Sequence, residues 1–341
     1  MRKCGAMPVR RMAVWALTAL VALAVGAGPA AAELPEVRVG ALQFGTVGWE
    51  LDVIQHHSLD RAAGIRLRVH PVGSKNAAAV ALQSGAVDVI VSDWIWVSRQ
   101  RGNGRPYVFY PWSMAVGSVM VAPDSGIERL ADLSGRAIGV AGGPVDKSWL
   151  LLRALYRERH GEDLAAVAEP AFGAPPLLNR LALRGDLPAV INFWHYAARL
   201  EAADFTPLIG VEDVLSELGV TEPLPLLGWV FSEEWARKNP QAAYGLIEAS
   251  RAAKRLLAES DAEWERLRPV TKAEDDATLE ALQRSFRRGI PPMMGPGQVA
   301  AAQKVYRILA GEGGTELTGG QPQLAPGTFW QPERGEQTWQ Q

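Results

Sequence analysis

From Val37 onward, the chain alternates between short apolar runs and longer stretches in which apolar residues recur at helical spacing. The short runs predict β-strands, and the longer stretches predict amphipathic helices. In the first part of the chain the predicted strands are 37–42, 65–72 and 87–92, and the predicted helices are 49–62 and 75–84. Strands and helices in alternation are typical of a parallel sheet, and nearly continuous apolar strands favour helices on both of its faces. The pattern therefore predicts an α/β fold.

The alternation breaks in the middle of the chain, which indicates two lobes. Two extended segments, 107–112 and 118–123, follow each other without a helix between them, and a strand at 136–142 then restarts the pattern. A later strand at 226–232 leads into a mostly helical region. We therefore expect the chain to cross between two lobes twice, near 112–124 and 222–230. The predicted division is lobe 1 from 33–117 and 226–312, lobe 2 from 118–225, and a loosely attached tail from 313–341 that is rich in Gly, Pro and Gln.

Residues 1–32 predict a cleaved leader. Four basic residues precede an uncharged run at 12–26, and Ala30-Ala31-Ala32 then offers a small-residue cleavage site. This layout is typical of a secretory signal peptide. An uncleaved anchor is the alternative, although the run is shorter than the ~20 apolar residues that span a bilayer. We therefore expect a periplasmic protein, and the sequence leaves both the Sec and the twin-arginine export routes open.

Charge and cysteine content argue against several classes of function. The formal net charge is −2 at pH 7, and no basic tract follows the leader, which argues against a nucleic-acid partner. The one cysteine, Cys4, lies within the predicted leader, so we expect no disulfide and no thiolate metal site after export. His56 and His57 point about 100° apart on a helix, which favours a solvated helix end over a shared metal ion. Without a nucleophile–base motif, we expect neither catalysis nor a cofactor.

Four segments together resemble one family of exported binding proteins. They are GSKNAAAVALQSGAVDVIVSD at 73–93, SGIERLADLSGRAIGVAGGP at 125–144, RLALRGDLPAVINFWHYAARL at 180–200 and LLGWVFSEEWARKNPQAAYGLIEAS at 226–250. Their order and spacing resemble ABC transporter periplasmic solute-binding proteins of the nitrate/sulfonate/taurine and thiamine-pyrimidine-precursor type. The resemblance implies a type II-like periplasmic binding protein fold, with two α/β lobes hinged by two extended crossings. It implies no particular ligand, because members of this family bind chemically different solutes.

Ligands of open α/β sheets bind beyond the carboxyl ends of the strands, and the loops at those positions are rich in tryptophan here. Seven of the twelve tryptophans lie in or beside such loops. Each can fill the core, but for the group we expect a partly aromatic cleft in which two to four rings contact the ligand. The residues predicted to bind the ligand are Phe44, Thr46, Trp49, Ser74, Asn76, Asp93, Trp94, Trp112, Gly143, Asp146, Lys147, Asn192, Trp194, His195 and Trp229.

The polar candidates do not select one ligand charge. Glycine-bearing loops that open helices, such as the loop at Gly143, favour an anion. Asp93 can bind a ligand amine, or it can cap the helix predicted at 94–100. With Trp94 beside it, Asp93 would also suit cation–π recognition of a positively charged group. His195 follows a strand and is well placed for a hydrogen bond to the ligand.

We therefore predict the periplasmic solute-binding component of an ABC importer. It would be a monomer that captures a small organic solute, anionic or aromatic, in the cleft between its lobes. Its partners would be that solute and the ABC permease and ATPase complex in the inner membrane. Two alternatives remain: an exported enzyme on the same fold that acts on a small heterocyclic compound, and a periplasmic sensor subunit that reports its ligand to a partner.

Overall fold

The structure is a computed structural model, and it describes Met1 and residues 33–331. The rest of the predicted leader and residues 332–341 lie outside the described residues. The strands are β1 Glu36–Leu42, β2 Arg66–Val72, β3 Val89–Asp93, β4 Tyr107–Ser113, β5 Gly117–Val121, β6 Ala137–Ala141, β7 Glu169–Gly173, β8 Ala189–Phe193, β9 Thr206–Gly210 and β10 Leu227–Ser232. A short 3₁₀ helix at Leu130–Leu133 precedes β6.

The helices surround these strands, and in the described residues none is long and apolar enough to cross a membrane. They are α1 Val47–His56, α2 Leu59–Ala62, α3 Lys75–Gln83, α4 Trp94–Gly102, α5 Lys147–His160, α6 Leu164–Val167, α7 Pro175–Leu183, α8 Trp194–Glu201, α9 Val211–Glu217, α10 Glu233–Lys238, α11 Pro240–Glu259, α12 Asp261–Thr271, α13 Asp276–Arg288 and α14 Pro296–Thr318.

The strands form two five-stranded sheets, ordered β2-β1-β3-β10-β4 and β7-β6-β8-β5-β9. In the first sheet β1 is parallel to β2 and β3, whereas β10 is antiparallel to β3 and β4. In the second sheet β6 is parallel to β7 and β8, whereas β5 is antiparallel to β8 and β9. This arrangement confirms the predicted two-lobed α/β fold. Below, lobe 1 and lobe 2 denote the parts of the molecule built on the first and the second sheet.

The chain passes from lobe 1 to lobe 2 between β4 and β5, and it returns between α9 and β10. In each sheet the strand that follows a crossing is inserted antiparallel, which is why both sheets are mixed rather than purely parallel. The first crossing requires glycine, because Gly117 has a φ of +141° and a Cβ at this position would lie 2.0 Å from the carbonyl oxygen of Asn192. A glycine thus fixes how β5 enters lobe 2.

Apolar packing continues from one lobe into the other. Trp194 and Ala198, on α8 of lobe 2, belong to the same buried cluster as Trp49 and Trp264 of lobe 1. α14 packs against both α4 of lobe 1 and α5 of lobe 2. The two lobes are therefore in direct contact through apolar side chains as well as through the two crossings.

The segment after α14 lies against lobe 1 as far as residue 331, within the range for which the sequence alone predicts a loosely attached tail. The backbone N–H of Phe109 donates to the Thr328 carbonyl at 2.8 Å, and the Trp330 N–H donates to the Phe109 carbonyl at 2.9 Å. The Trp330 ring packs on Phe231 at a centroid distance of 5.3 Å. β4 is an edge strand, and the tail covers its outer edge with these hydrogen bonds and with two aromatic side chains. Composition rich in Gly and Pro did not reveal this docking.

Candidate functional site

A cavity of about 170 Å³ lies between the lobes, and we call it the inner cavity. It is lined by residues at or just beyond the carboxyl ends of β1, β3, β6 and β8, where ligands of open α/β sheets bind. Most of its wall is apolar. The larger apolar side chains in the wall are Leu42, Ile90, Ile95, Trp112, Phe193, Trp194, Leu226, Leu227 and Leu309. Such a wall suits an organic solute whose orientation is set by a few polar groups.

An ion pair joins the lobes across this cavity. Lys147, at the start of α5, donates to Asp93 Oδ2 at 2.8 Å, and the two side chains are 30% and 16% exposed. Asp93 Oδ1 also accepts the Trp96 N–H at 2.8 Å, so Asp93 is the N-cap of α4, as one of its two interpretations proposed. Burial alone would raise the pKa of the Asp93 carboxyl, but Lys147 and the Trp96 N–H outweigh burial and lower it. Both charges are therefore already compensated by the protein.

Asp146 lines the same cavity and caps α5 by accepting the Ser148 N–H at 3.0 Å. Burial raises the pKa of its carboxyl, against the opposing charges of Lys75 and Lys147. Two acidic and two basic side chains thus line the inner cavity, and their formal charges balance.

His195 also lines the inner cavity, and its hydrogen bonding is incomplete. Within the described chain, both of its ring nitrogens are buried and have no hydrogen-bond partner. Its ring packs edge-on against Trp194 at 5.5 Å and against Trp49 at 6.3 Å. Burial, with a smaller contribution from Arg199, lowers the pKa of His195 to about 3. The imidazole is therefore neutral at physiological pH and offers one donor and one acceptor.

The structure divides the seven tryptophans between cleft and core. Trp112 and Trp194 line the inner cavity, and Trp49 packs behind them at 5.6 Å from Trp194. Trp94 and Trp229 do not line the cleft, because both are fully buried with their indole N–H groups donating to the Pro225 carbonyl and to Ser250. The other two also lie elsewhere: Trp149 is buried in the core, and Trp96 packs on Tyr107.

The remaining predicted residues fall into three groups. Thr46 lines the inner cavity, while Phe44 and Ser74 line the space outside it. Asn76, Gly143 and Asn192 line neither space. The amide of Asn192 donates to Asn179 and to the Pro175 carbonyl, so a structural role accounts for it.

A wider space of about 920 Å³ adjoins the inner cavity, and we call it the outer groove. Lys75, Phe193 and His195 line both spaces. The charged residues that line the outer groove are Lys75, Arg180, Arg199, Lys272, Glu274 and Asp275, four basic and two acidic. Lys75 Nζ lies 4.7 Å from the centroid of the Phe193 ring, and Lys272 Nζ lies 5.1 Å from that of Phe44, which is 71% exposed. The outer groove is thus basic and aromatic, unlike the inner cavity.

A buried ionic group that sequence reasoning missed lies directly behind Trp112. Glu50 is fully buried and accepts hydrogen bonds from Trp112 Nε1 at 2.9 Å, from Ser250 Oγ at 2.5 Å and from Lys254 Nζ. Burial lowers the pKa of Lys254, although Glu50 opposes this shift. The Lys254 ammonium also lies 5.2 Å from the centroid of the Trp112 ring. This group fixes the orientation of one wall of the inner cavity.

The two adjacent histidines lie on the surface at the end of α1, as expected for a solvated helix end. His57 Nε2 lies 3.0 Å from Glu263 Oε2, and the His56 ring packs edge-on against the His57 ring at a centroid distance of 4.7 Å. Among the residues that the structure describes, no group of three or more His, Cys, Asp or Glu side chains is arranged to hold a metal ion.

Solved structures share this architecture. The alkanesulfonate-binding protein SsuA from Xanthomonas axonopodis pv. citri, bound to MOPS, superposes with a TM-score of 0.68 at 17% identity, covering 89% of this chain and 100% of that one. The periplasmic aliphatic sulphonate binding protein SsuA from Escherichia coli gives 0.68 at 17%, covering 88% and 94%. The desulfurization enzyme DSZB gives 0.54 at 14%, covering 82% and 92%. No curated protein sequence matches the chain significantly.

These likenesses and the interlobe cavity define the class of fold, which is that of the two-lobed periplasmic binding proteins. Within this class the chain belongs to the NMT1/THI5-like family, whose model matches residues 61–261. The matched range begins in α2 of lobe 1, includes all of lobe 2 and ends at the start of α12. Family membership confirms the resemblance that the four sequence segments carry.

Proposed function

We propose that the chain is the solute-binding component of an ABC importer and that it holds a small organic solute in the inner cavity. The observation that carries the proposal is a cavity lined by both lobes, with apolar walls and two buried His195 nitrogens that lack a partner. A buried polar group without a hydrogen bond is unfavourable, so these nitrogens favour a bound molecule that supplies one. Family membership and the sulfonate-binding proteins of the same fold support this function.

The proposed mechanism is closure of two lobes on the solute. Each lobe contributes wall residues, so a solute contacts both only when the lobes are together, and it shifts the population toward the closed form. The closed form would then deliver the solute to a permease and ATPase complex in the inner membrane. This partner and a periplasmic location belong to the proposal, and they follow the function of the sulfonate-binding relatives in fold.

Native mass spectrometry of freshly purified protein tests the proposal. We expect a co-purifying small molecule on the wild-type chain and its loss from Ser92→Phe, in which the new ring would occupy the inner cavity. Ser84→Phe is the matched control, because Ser84 is exposed at the end of α3 and lines neither space. A wild-type chain that carries no solute and is stabilised by none from a metabolite library would contradict the proposal.

We further propose that the chain binds its solute without chemical change. The likeness to a desulfurization enzyme makes this worth testing directly. The released molecule is incubated with fresh protein, and its mass is measured before and after. An unchanged mass is the expected result, whereas a product that accumulates with time would favour the enzyme alternative.

A further inference from the structure

The inner cavity is poorly suited to a charged group. Asp93 and Lys147 already neutralise each other at 2.8 Å, and both side chains are largely buried. A charged ligand group that took one of them as its partner would leave the other unpaired in a buried position, which is strongly unfavourable. An uncharged group is therefore the better occupant of the inner cavity.

His195 determines which hydrogen-bonding atoms the uncharged part of the ligand has to carry. Both imidazole nitrogens are buried, and neither has a partner in the described chain. A neutral imidazole donates from one nitrogen and accepts at the other, so it is matched by an uncharged heteroatom rather than by bare hydrocarbon. Indole rings at Trp112 and Trp194 form part of the same wall, which suits a flat ring that carries such a heteroatom.

The outer groove has the opposite character. Lys75 and Lys272 form no salt bridge within residues 33–331, and each ammonium instead lies over an aromatic ring, Phe193 and Phe44 respectively. Lys75 lines both spaces, so a positive charge stands where the inner cavity meets the outer groove. Lysines without a carboxylate partner, beside solvent and aromatic faces, favour an anionic ligand group at this position.

We propose that the solute has two parts, an uncharged ring with a hydrogen-bonding heteroatom in the inner cavity and an anionic group in the outer groove at Lys75 and Lys272. This inference rests on the proposed function and specifies the class of solute and its orientation. The ring enters first and pairs with His195, and the anion remains at the mouth, where solvent and salt reach it.

Isothermal titration calorimetry with three related probes tests both parts of the proposed solute, the uncharged ring and the anionic group. The probes are 3-(pyridin-3-yl)propanoate, 3-phenylpropanoate and 3-(pyridin-3-yl)propan-1-ol, at mildly alkaline pH where the pyridine is neutral. We expect 3-(pyridin-3-yl)propanoate to bind most tightly. Losing the ring nitrogen or losing the carboxylate should each raise Kd about tenfold, the size of one hydrogen bond or ionic contact. Added salt should weaken the binding of the two carboxylates more than the binding of the alcohol.

Substitutions at His195 and at the two lysines test the two parts of the solute separately. His195→Phe should abolish the preference for pyridyl over phenyl and keep the preference for carboxylate over alcohol, and His195→Gln should restore part of the first preference. Lys75→Gln/Lys272→Gln should abolish the preference for carboxylate over alcohol and keep the preference for pyridyl over phenyl. Lys238→Gln is the matched control, because Lys238 is exposed on α10, pairs with Glu234 and lines neither space. Circular dichroism and thermal unfolding establish that each variant is folded.

The opposite orientation gives a different result. If Asp93→Asn/Lys147→Gln removes the carboxylate preference and Lys75→Gln/Lys272→Gln does not, the anion lies in the inner cavity and this inference is wrong, while the proposed function stands. If none of the three probes binds and the co-purifying solute lacks an anionic group, the solute class is wrong. Only a wild-type chain that carries no solute and is stabilised by none from a metabolite library would also overturn the proposed function.

Discussion

At the scale of single residues, the inner cavity depends on polar groups that the core holds in place. Glu50 has no exposed surface and joins Trp112, Ser250 and Lys254, although Glu50 and Lys254 are 204 positions apart. A buried ion pair is weak evidence for stability as a whole, but breaking it by removing one partner is strongly unfavourable. The effect of a substitution therefore depends on whether one charge or both are removed.

We expect Glu50→Gln to lower the free energy of unfolding by about 3–5 kcal/mol, because it leaves the buried Lys254 ammonium without a compensating charge. Glu50→Gln/Lys254→Met removes both charges and should recover most of the loss. Urea denaturation of the wild type, the single variant and the double variant measures these free energies of unfolding. The control is Glu234→Gln, which breaks an exposed pair with Lys238 and should change stability by about 0.5 kcal/mol or less. Equal losses in the single and the double variant would show that the ion pair itself matters little.

His195 should make the folded state sensitive to acid. Burial lowers its pKa to about 3 in the folded state, whereas a histidine in an unfolded chain titrates near 6.5. Between these values the unfolded chain binds a proton that the folded chain does not, so stability falls as the pH drops from about 6.5 to about 3. We expect protonation of this one group to lower the free energy of unfolding by about 4 kcal/mol over that pH range.

The measurement is the difference in unfolding free energy between wild type and His195→Gln as a function of pH, since the difference cancels the carboxylates common to both. The variant should gain relative stability on acidification through that window and level off below it. A difference that stays constant from neutral to acidic pH would mean that His195 is not buried as described.

At the scale of elements, periodicity located most of the strands and helices but not every break in them. The strand predicted at 65–72 is Arg66–Val72, and the strand predicted at 226–232 is Leu227–Ser232. The helix predicted at 49–62 is two helices, Val47–His56 and Leu59–Ala62, because Ser58 between them adopts a left-handed φ of 54°. No Gly or Pro marks the break, so the residue types alone did not reveal it.

The same limit applies to the site. The position of strand ends identified Asp93, Lys147 and His195, which do line the inner cavity. It could not predict which tryptophans line the cleft and which are buried in the core. Trp94, for example, is held in the core by a hydrogen bond to the carbonyl of Pro225, 131 positions away. Lys75 was missed between two predicted residues, Ser74 and Asn76, since nothing local indicates that its ammonium reaches Phe193 of the other lobe.

The docked segment after α14 should contribute measurably to stability. Trp330 packs on Phe231 at 5.3 Å, on Tyr244 at 5.4 Å and on Tyr110 at 5.9 Å, and it is partly buried. We expect Trp330→Ala to lower the unfolding free energy by about 2 kcal/mol through lost apolar burial. Gln331→Ala, at the adjacent exposed position, is the control and should stay within about 0.5 kcal/mol. Indistinguishable denaturation curves for all three chains would mean that the segment is not docked in solution.

At the scale of the whole molecule, two lobes of similar topology meet around one cleft. Lobe 1 supplies Asp93 and Trp112 to the inner cavity, and lobe 2 supplies Lys147, Trp194 and His195. A site divided in this way is complete only when the lobes are closed, which connects recognition of the solute to the shape of the protein. The lobe boundaries at 117/118 and 225/226 remain a prediction from the sequence.

Export should remove the leader. We expect the full-length chain, expressed in a Gram-negative host, to be recovered from the periplasm with its N-terminus at Glu33, because cleavage after Ala32 follows a small-residue site. Intact-mass measurement of the periplasmic fraction checks this. Ala30→Arg/Ala32→Arg should block cleavage and leave the precursor at the membrane. Recovery of the unprocessed wild-type chain from the cytoplasm would contradict the predicted location.

The most direct test of the account is a crystal structure of the protein with the solute that co-purifies with it. We expect density for one small molecule in the inner cavity, hydrogen-bonded to His195 and in contact with residues of both lobes. A solute bound elsewhere on the surface, with the inner cavity filled by side chains and His195 paired within the protein, would contradict it.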